Sequence, residues 1–424
     1  MTEPLLRRVA ARDIRRQVAA GFDAVTLSTA AAIVADVRGR GEPALLEHAA
    51  RLGDWMSGTP WYYERPALIA ALEALDPGTR ALLTRTAARI ERFANAQRRS
   101  LADLDVAVEG GRAGQTVLPM QRAGCYAPAG RFPLVSSLLM TVVTAKAAGV
   151  PEVWLATPRP DALMLAAAAL AGADGVLGVG GAQGIAALAY GVGPIPACDI
   201  IVGPGNRWVT AAKKCVAGDV AIDFLAGPSE LVIVADDSAD PGIVASDLLA
   251  QAEHDTDAVP ILVTTVASLI DRVEAELAGQ LAVLPTAATA RSALRNGMAV
   301  MCNDRDEVVA ACNCLAPEHL QLSVGDPEAL AALVRHAGAV FLGERSAEVF
   351  GDYGIGPNHV LPTGGGARFT GGLSILTFLR VRTWLRLEDA AGITNDTAAL
   401  ARLEGLEAHA RSAEVRGVSG RRRS

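Results

Sequence analysis

From about residue 124 onward, short apolar runs alternate with helical segments, and this rhythm narrows the range of folds more than any other feature. The runs lie at 152–157, 176–180, 199–202, 231–235, 261–265, 298–302 and 340–342, and an amphipathic helix is predicted at 134–148. Because strands that alternate with helices form parallel sheets covered on both faces, the rhythm predicts an α/β fold with at least two such units. The length of 424 residues allows two or three domains.

Residues 20–110 have a different pattern, with Ala and Leu at the three- and four-residue spacing of helices. No chemistry is visible in that segment. Only 4% of the residues are aromatic, so the core must be aliphatic and rich in alanine.

Charge and apolar content exclude several classes of protein. Lys plus Arg number 39 and Asp plus Glu number 46, giving a formal charge of −7, and no long basic run precedes the last few residues. Nucleic acid is therefore not an expected partner. The charge-free stretch 175–198 is interrupted by glycines and prolines, so we interpret it as strand, turn and helix rather than a membrane span.

The N-terminal residues and the pattern of cysteines indicate the cellular compartment of the protein. Residues 1–17 carry several arginines but no apolar core or small-residue cleavage site of a secretory signal. The six cysteines include no C-x-x-C pair, so reduced thiols are expected. We therefore expect a cytoplasmic protein without a membrane partner. The Arg-rich residues 420–424 are expected to fray.

Two glycine-rich turns follow predicted strands, at 178–184 and 203–206. Neither matches the G-x-G-x-x-G fingerprint, because Gln183 stands where the third glycine belongs and the second turn has no third glycine. Glycines between a strand and a helix let backbone N–H groups approach phosphates, and Gln183 and Asn206 add polar side chains there. Plain strand-to-helix turns explain the spacing as well, and both interpretations stay open.

Four of the histidines lie near acids or amides. Gln251 and His254 are three residues apart on a predicted helix, so both could face one ion. Glu318 and His319 follow Pro317, which suits the first turn of a helix or the end of a loop. Neighbouring side chains diverge, so these two would serve separate tasks, such as one base for a hydroxyl and another for water. A solvent-facing charged turn is the alternative.

The remaining candidates lie nearer the C-terminus. Asp352 and His359 belong to a segment rich in Gly and Pro, and rigid loops of this kind often present functional groups. Glu404 and His409 lie on a predicted C-terminal helix, where a solvated face is the simpler interpretation. An Asp, two His and an amide together make an oxygen and nitrogen set suited to Zn²⁺, although Gln is an uncommon ligand.

Taken in order, these motifs resemble the histidinol dehydrogenase family. The resemblance is carried by Tyr126, 180–183, 203–206, 222–230, 251–254, 317–320, 351–353 and 358–363. It runs from about residue 20 to about residue 410. It implies a zinc- and NAD-dependent enzyme of histidine biosynthesis, which oxidises L-histidinol through L-histidinal to L-histidine with two NAD⁺.

The resemblance also implies roles for individual residues. The metal ligands would be Gln251, His254, Asp352 and His409, and the NAD contacts would come from Tyr126, Gln183 and Asn206. The substrate pocket would be lined by those metal ligands together with Ser229, His319, His359 and Glu404. His319 would take the hydroxyl proton, and Glu318 would activate the water that hydrates the aldehyde.

For the architecture, the resemblance implies two incomplete doubly wound, Rossmann-like parallel-sheet domains, one inserted in the other, with helical N- and C-terminal extensions. The implied boundaries are 1–19 for an N-terminal helical extension, 20–123 with 229–373 for the first domain, 124–228 for the NAD-binding second domain and 374–424 for a helical tail. The tail would be exchanged in a homodimer, so that Glu404 and His409 complete the neighbour's active site.

One segment departs from the family pattern. Residues 125–134 lack the Pro-Gly-Gly run that is usual there, and Arg131-Phe132-Pro133 is similar to variants that oxidise other alcohols. The alternative function is therefore that of a paralogue with the same zinc, NAD and bases but another polar alcohol, for instance a sulfonated propanediol. A cation such as Arg131 would suit an anionic substrate. A non-catalytic binding paralogue is a third reading, opposed by the presence of every ligand and both bases.

Overall fold

The computed structural model describes residues 4–16, 22–128 and 134–417, which divide into two compact units. The first unit takes the described residues up to Asn95 together with Met120–Phe378, and the second takes Ala96–Pro119 and the described residues from Leu379 onward. The strands are β1 (Arg7–Ala10), β2 (Tyr62–Glu64), β3 (Leu104–Val108), β4 (Gly111–Pro119), β5 (Arg122–Tyr126), β6 (Glu152–Ala156), β7 (Gly175–Leu177), β8 (Ile200–Val202), β9 (Ala221–Ile222), β10 (Glu230–Ala235), β11 (Val259–Thr264), β12 (Met298–Met301), β13 (His319–Ser323), β14 (Ala339–Leu342) and β15 (Leu379–Leu387). The α-helices are α1 (Ala24–Arg40), α2 (Glu42–Arg51), α3 (Arg65–Ala74), α4 (Pro77–Arg99), α5 (Val135–Ala147), α6 (Ala162–Ala171), α7 (Gly181–Tyr190), α8 (Arg207–Val216), α9 (Pro241–Ala252), α10 (Ala267–Leu281), α11 (Ala287–Leu294), α12 (Arg305–Leu315), α13 (Pro327–Ala331), α14 (Glu348–Asp352), α15 (Ala391–Leu403) and α16 (Glu407–Gly417).

The first sheet of the larger unit has the strand order β1-β12-β11-β10-β13-β14, and all its strands are parallel. The N-terminal strand β1 forms one edge beside β12. The chain returns to this sheet at β10, moves outward through β11 and β12, and then crosses back to add β13 and β14 on the other side of β10. This is a doubly wound order with its switch point between β10 and β13. Every residue of β10 is buried, because helices cover both faces of the sheet.

The second sheet has the order β2-β7-β6-β5-β8-β9 and is parallel except for the edge strand β2. It is wound in the same way, with β5 at the centre and the switch point between β5 and β8. Helices α1 and α2 share one apolar core with α7 and α8. The carboxyl ends of β7 and β8 lead into the two glycine-rich turns.

The smaller unit contains an antiparallel sheet of order β15-β4-β3 and the two last helices. Ala398, Ala401 and Ala410 form the small core between α15 and α16. Gly405, with φ of +77°, separates these helices. The predicted single C-terminal helix is thus a pair of helices, because a left-handed residue ends α15.

The structure confirms the α/β fold, the helix at 134–148 and the strands predicted between residues 152 and 342, with small shifts at their ends. Three details differ. The N-terminal segment predicted to be helical contains β1, which pairs with β12, and the tail contains β15 before its helices. Residues 24–64 add helices and an edge strand to the second sheet rather than to the first. The domain boundaries otherwise stay a prediction. None of the helices in the described ranges combines the length and apolar character needed to cross a bilayer.

Candidate active site

Two acids, a serine and a histidine meet where β10 and β13 begin. Ser229 and Glu230 stand at the start of β10, and Glu318 and His319 stand at the start of the neighbouring β13, where His319 is paired with Leu231. Pro317 therefore precedes a buried strand, so the loop-end alternative is correct and the first turn of a helix is not. The reason is the alternation of apolar residues after His319, which suits a strand buried in the sheet.

The peptide of Glu230 organises both predicted bases. Its carbonyl oxygen accepts a hydrogen bond from His319 Nδ1 at 3.1 Å, and its N–H donates to Glu318 Oε2 at 2.9 Å. Ser229 Oγ donates to the same carboxylate oxygen at 2.7 Å. His319 Nδ1 and Glu318 Oε2 lie 3.5 Å apart, but each group has its own hydrogen-bond partners. The two side chains are therefore neighbours that are held by separate hydrogen bonds.

These contacts determine where the protons lie. A carbonyl oxygen can only accept, so His319 carries its proton on Nδ1 and keeps a free lone pair on Nε2. His319 Nε2 is buried and has no hydrogen-bond partner among the described residues. Burial lowers the pKa of His319, which keeps the imidazole neutral, and burial raises the pKa of Glu318 to about 7. His319 can thus accept a substrate proton on its free Nε2 lone pair, and Glu318 can take up a proton near neutral pH.

Close to these bases lies a cluster of metal-binding side chains. His254, Glu348 and Asp352 each offer a ligand atom, and these atoms all lie within 4.8 Å of one another. His254 Nε2 is 3.4 Å from Asp352 Oδ2, and His319 Nε2 is 3.9 Å from Asp352 Oδ1. The side chain of His254 is 41% exposed whereas that of Asp352 is 11% exposed. The cluster is therefore open on the His254 side.

Gln251 adds an independent observation. It lies in the last turn of α9 and is fully buried, yet neither its amide oxygen nor its amide nitrogen has a hydrogen-bond partner within the described residues. Burying an unpaired amide costs free energy, so such a group indicates a missing ligand. The carbonyl oxygen of Gln251, the imidazole of His254 and the carboxylate of Asp352 form an oxygen and nitrogen set that fits a divalent metal.

The structure corrects the local setting of these ligands. Helix α9 ends at Ala252, so His254 lies in the turn after it and not on the helix face shared with Gln251. Asp352 is the last residue of the short helix α14 and not a loop residue. Sequence reasoning missed Glu348, which lies one turn before Asp352. The spacing of four residues between the two acids is the signal that would have found it.

His359 supports Asp352 through the backbone. Its Nδ1 donates to the Asp352 carbonyl oxygen at 2.7 Å, and its Nε2 lies 3.3 Å from Ser137 Oγ on α5. The neighbouring Asn358 donates from Nδ2 to the Met140 carbonyl oxygen at 2.8 Å. Burial lowers the pKa of His359, so it acts here as a neutral hydrogen-bonding group. The loop that follows α14 is therefore fastened to α5.

The predicted NAD contacts lie at the carboxyl edge of the second sheet, where doubly wound folds bind dinucleotides. Tyr126 ends β5, and its hydroxyl accepts a hydrogen bond from Gly181 N–H at 3.1 Å. Gln183 lies in the first turn of α7 and is fully buried. Asn206 caps α8, where its Oδ1 accepts from Trp208 N–H at 3.0 Å.

The turn after β8 requires glycine at position 203. Gly203 has φ of +116°, and a Cβ there would lie 2.1 Å from the Tyr126 carbonyl oxygen. Its N–H donates to Asp223 Oδ2 at 2.7 Å, and its carbonyl oxygen accepts from Lys213 Nζ at 3.1 Å. The backbone can therefore pass close to Tyr126 and is held there by a buried ion pair.

Two predicted site residues belong to the smaller unit. Glu404 directly follows α15 and His409 lies in the first turn of α16, both exposed and both in the smaller unit. Their part in the metal and substrate site stays a prediction. The segment Arg131-Phe132-Pro133 lies outside the described residues.

The chain is similar to known proteins over most of its length. The family model "Histidinol dehydrogenase" matches residues 18–417. The chain is 50% identical to histidinol dehydrogenase of Thermus thermophilus over 82% of this chain and 84% of that protein. It is 43% identical to histidinol dehydrogenase of Methylococcus capsulatus over 91% of this chain and 90% of that protein. The crystal structure of histidinol dehydrogenase from Elizabethkingia anophelis superposes with a TM-score of 0.91 at 30% identity, covering 98% of this chain and 99% of that one.

Proposed function

Because the chain belongs to the histidinol dehydrogenase family, and is thus a dehydrogenase acting on a CH–OH group, we propose that it oxidises L-histidinol through L-histidinal to L-histidine. The oxidant is NAD⁺, used twice, and the metal is Zn²⁺. The observation that carries this proposal is the pair of buried, separately held bases beside the open cluster of His254 and Asp352.

Gln251, His254 and Asp352 would hold the zinc ion, together with His409 from a second copy of the chain. Their fit rests on the buried Gln251 amide, which lacks partners within the described residues, and on the convergence of the His254 nitrogen with the Asp352 oxygens. The ion supplies binding and orientation of a substrate that carries nitrogen donors. An imidazole and an amine make histidinol such a substrate.

In the first oxidation His319 is the base. Its Nε2 lone pair takes the hydroxyl proton while the carbinol carbon gives its hydride to NAD⁺, and the product is the aldehyde. The Nδ1–H bond to the Glu230 carbonyl oxygen, at 3.1 Å, orients the ring and stabilises the imidazolium that forms. Tyr126, Gln183 and Asn206 would bind the dinucleotide at the carboxyl edge of the second sheet.

In the second oxidation Glu318 is the base for water. Its carboxylate takes one proton as the oxygen of water adds to the aldehyde carbon. The hydrate anion then gives a second hydride to NAD⁺, and the acid that forms releases its remaining proton to solvent and leaves as the carboxylate product. The bonds from Ser229 Oγ and Glu230 N–H hold the Glu318 carboxylate in one orientation. A pKa of about 7, raised by burial, lets this group exchange protons with water near neutral pH.

The substrate is tested by steady-state assays of L-histidinol against 2,3-dihydroxypropane-1-sulfonate with the zinc-loaded protein. We expect a higher kcat/KM for histidinol, with two NADH formed for each histidine. A preference for the sulfonate would favour the paralogue suggested by residues 131–133. No NADH from either alcohol would favour a binding protein that has kept the fold.

Removal of a metal ligand tests the metal site directly. His254→Ala and Asp352→Ala are each expected to lose bound zinc and turnover together, because each removes one of the converging donors. Zinc per chain is measured by mass spectrometry after dialysis, beside His336→Ala as a control that removes a histidine outside the cluster. A ligand variant that keeps one zinc per chain would contradict the assignment.

Subunit mixing tests the shared active site. Chains with His319→Asn and chains with His409→Ala are each expected to be inactive, whereas a mixed dimer would contain one intact site of two. Random exchange would then restore about a quarter of the wild-type activity. Mixing His319→Asn chains with His254→Ala chains should restore no activity. One chain supplies both His319 and His254 to each proposed site, so every site in the mixed dimer would lack one of the two. No rescue in the first mixture, after exchange is verified, would argue for a site built within one chain.

A further inference from the structure

The turn after α2 carries an aspartate that reaches the predicted cofactor site. Asp54 Oδ2 accepts hydrogen bonds from Gln183 Nε2 at 2.9 Å and from Gly180 N–H at 3.3 Å. Both donors belong to the beginning of α7, because Gly180 is its N-cap and Gln183 lies in its first turn. Asp54 is more than a hundred residues away in the chain, and one of its carboxylate oxygens therefore holds this turn by two hydrogen bonds.

This contact determines which way the Gln183 amide faces. A carboxylate only accepts hydrogen bonds, so Gln183 must direct its NH₂ group towards Asp54. Its Oε1 is then the free end of the amide, and this atom is buried without a hydrogen-bond partner among the described residues. A buried acceptor without a partner indicates a donor that a ligand would bring.

Glycine at position 181 leaves room for the outward end of the Gln183 amide. Gly181 has φ of +60°, and a Cβ there would lie 2.9 Å from Gln183 Oε1. The N–H of the same glycine donates to Tyr126 OH at 3.1 Å. Gln183 and Tyr126, two of the predicted NAD contacts, are thus joined through one glycine to the turn that Asp54 holds.

We propose that Asp54 is a positioning residue for the dinucleotide: it holds Gln183 with its carbonyl oxygen outward, so that Gln183 accepts a hydrogen bond from a hydroxyl or amino group of NAD. This inference rests on the proposed function, which assigns Gln183 to NAD. To that function it adds that Gln183 is the acceptor of the hydrogen bond with NAD. It also adds Asp54, which lies in a segment without a recognisable motif.

Asp54→Asn tests the inference by removing the charge with little change of shape. Unlike a carboxylate, the asparagine amide can donate as well as accept, so Gln183 is no longer held with its carbonyl oxygen outward. We expect the Kd for NAD⁺, measured by calorimetry on the zinc-loaded protein without substrate, to rise about tenfold. The KM for NAD⁺ should rise with it, while kcat, zinc content and thermal unfolding stay near those of the control Glu73→Gln on α3.

A paired substitution separates positioning from general damage. In the double variant Asp54→Asn with Gln183→Glu, the asparagine amide donates to one carboxylate oxygen and the other oxygen again faces outward as an acceptor. We expect the double variant to bind NAD⁺ more tightly than either single variant. A wild-type Kd in Asp54→Asn, or no gain in the double variant, would overturn the inference.

Gln183→Ala shows whether a negative result contradicts the assignment of Gln183 to NAD or only the positioning role of Asp54. If Gln183→Ala binds NAD⁺ as the wild type does, the assignment of Gln183 to the cofactor fails and the inference fails with it. If Gln183→Ala loses NAD⁺ binding while Asp54→Asn keeps it, the cofactor site stands and only the role of Asp54 is wrong.

Discussion

His319→Asn is expected to lower the rate of alcohol oxidation by about 10²- to 10⁴-fold, the range that a positioned general base contributes. The amide of asparagine has no basic nitrogen, so no group at that position can take the hydroxyl proton from the place where His319 Nε2 now lies. Zinc content should stay that of the wild type, because His319 is not among the proposed ligands. Single-turnover formation of NADH, with excess enzyme, measures the step itself.

Glu318→Gln is the matched comparison, since it changes the neighbouring base and keeps its size. It should spare the conversion of histidinol to the aldehyde and slow the conversion of supplied aldehyde to histidine. The separate hydrogen-bond partners of the two side chains are the reason for expecting this split. Equal losses in both half-reactions for both variants would show that the two groups act as one unit.

Much of the fold follows from the sequence because most strands of the two large sheets are continuous apolar runs between turns. The location of the bases does not follow in the same way. Doubly wound sheets usually bind ligands at the carboxyl ends of their strands, and Tyr126 obeys that rule. Glu318 and His319 lie at the beginning of a strand instead, held by the peptide of Glu230. Backbone groups carry no signature in a sequence, so this support could not be predicted.

Side chains brought from distant segments are the other class that sequence reasoning misses. Asp54 follows helices in which no motif is visible, and its importance appears only because α2 packs beside α7. Glu348 was missed for a local reason, since the five-residue helix α14 precedes glycines and a proline and resembles a loop. In both cases the acid is recognised by the polar groups that tertiary packing places around it.

A second large effect is expected at the buried ion pair beneath the turn at Gly203. The side chains of Lys213 and Asp223 are 2% and 1% exposed. Lys213 Nζ also donates to the Gly203 carbonyl oxygen at 3.1 Å, and Asp223 accepts from Gly203 N–H at 2.7 Å and from Phe224 N–H at 2.6 Å. Each charge is thus paired and also hydrogen-bonded to the backbone, which is the arrangement that makes a buried pair tolerable.

Lys213→Met is therefore expected to lower the free energy of unfolding by about 3–5 kcal/mol, because it keeps the aliphatic stem but leaves the Asp223 carboxylate buried without its counter-charge. Urea unfolding followed by circular dichroism measures the loss. The adjacent and exposed Lys214→Met is the control, and its effect should stay within about 0.5 kcal/mol. Adding Asp223→Asn to Lys213→Met should recover part of the loss, since the amide oxygen can still accept from Gly203 N–H while the unpaired charge is gone. A loss of less than about 1 kcal/mol in the free energy of unfolding for Lys213→Met would mean that water or another cation reaches the Asp223 carboxylate. The buried ion pair would then not be what stabilises the turn at Gly203.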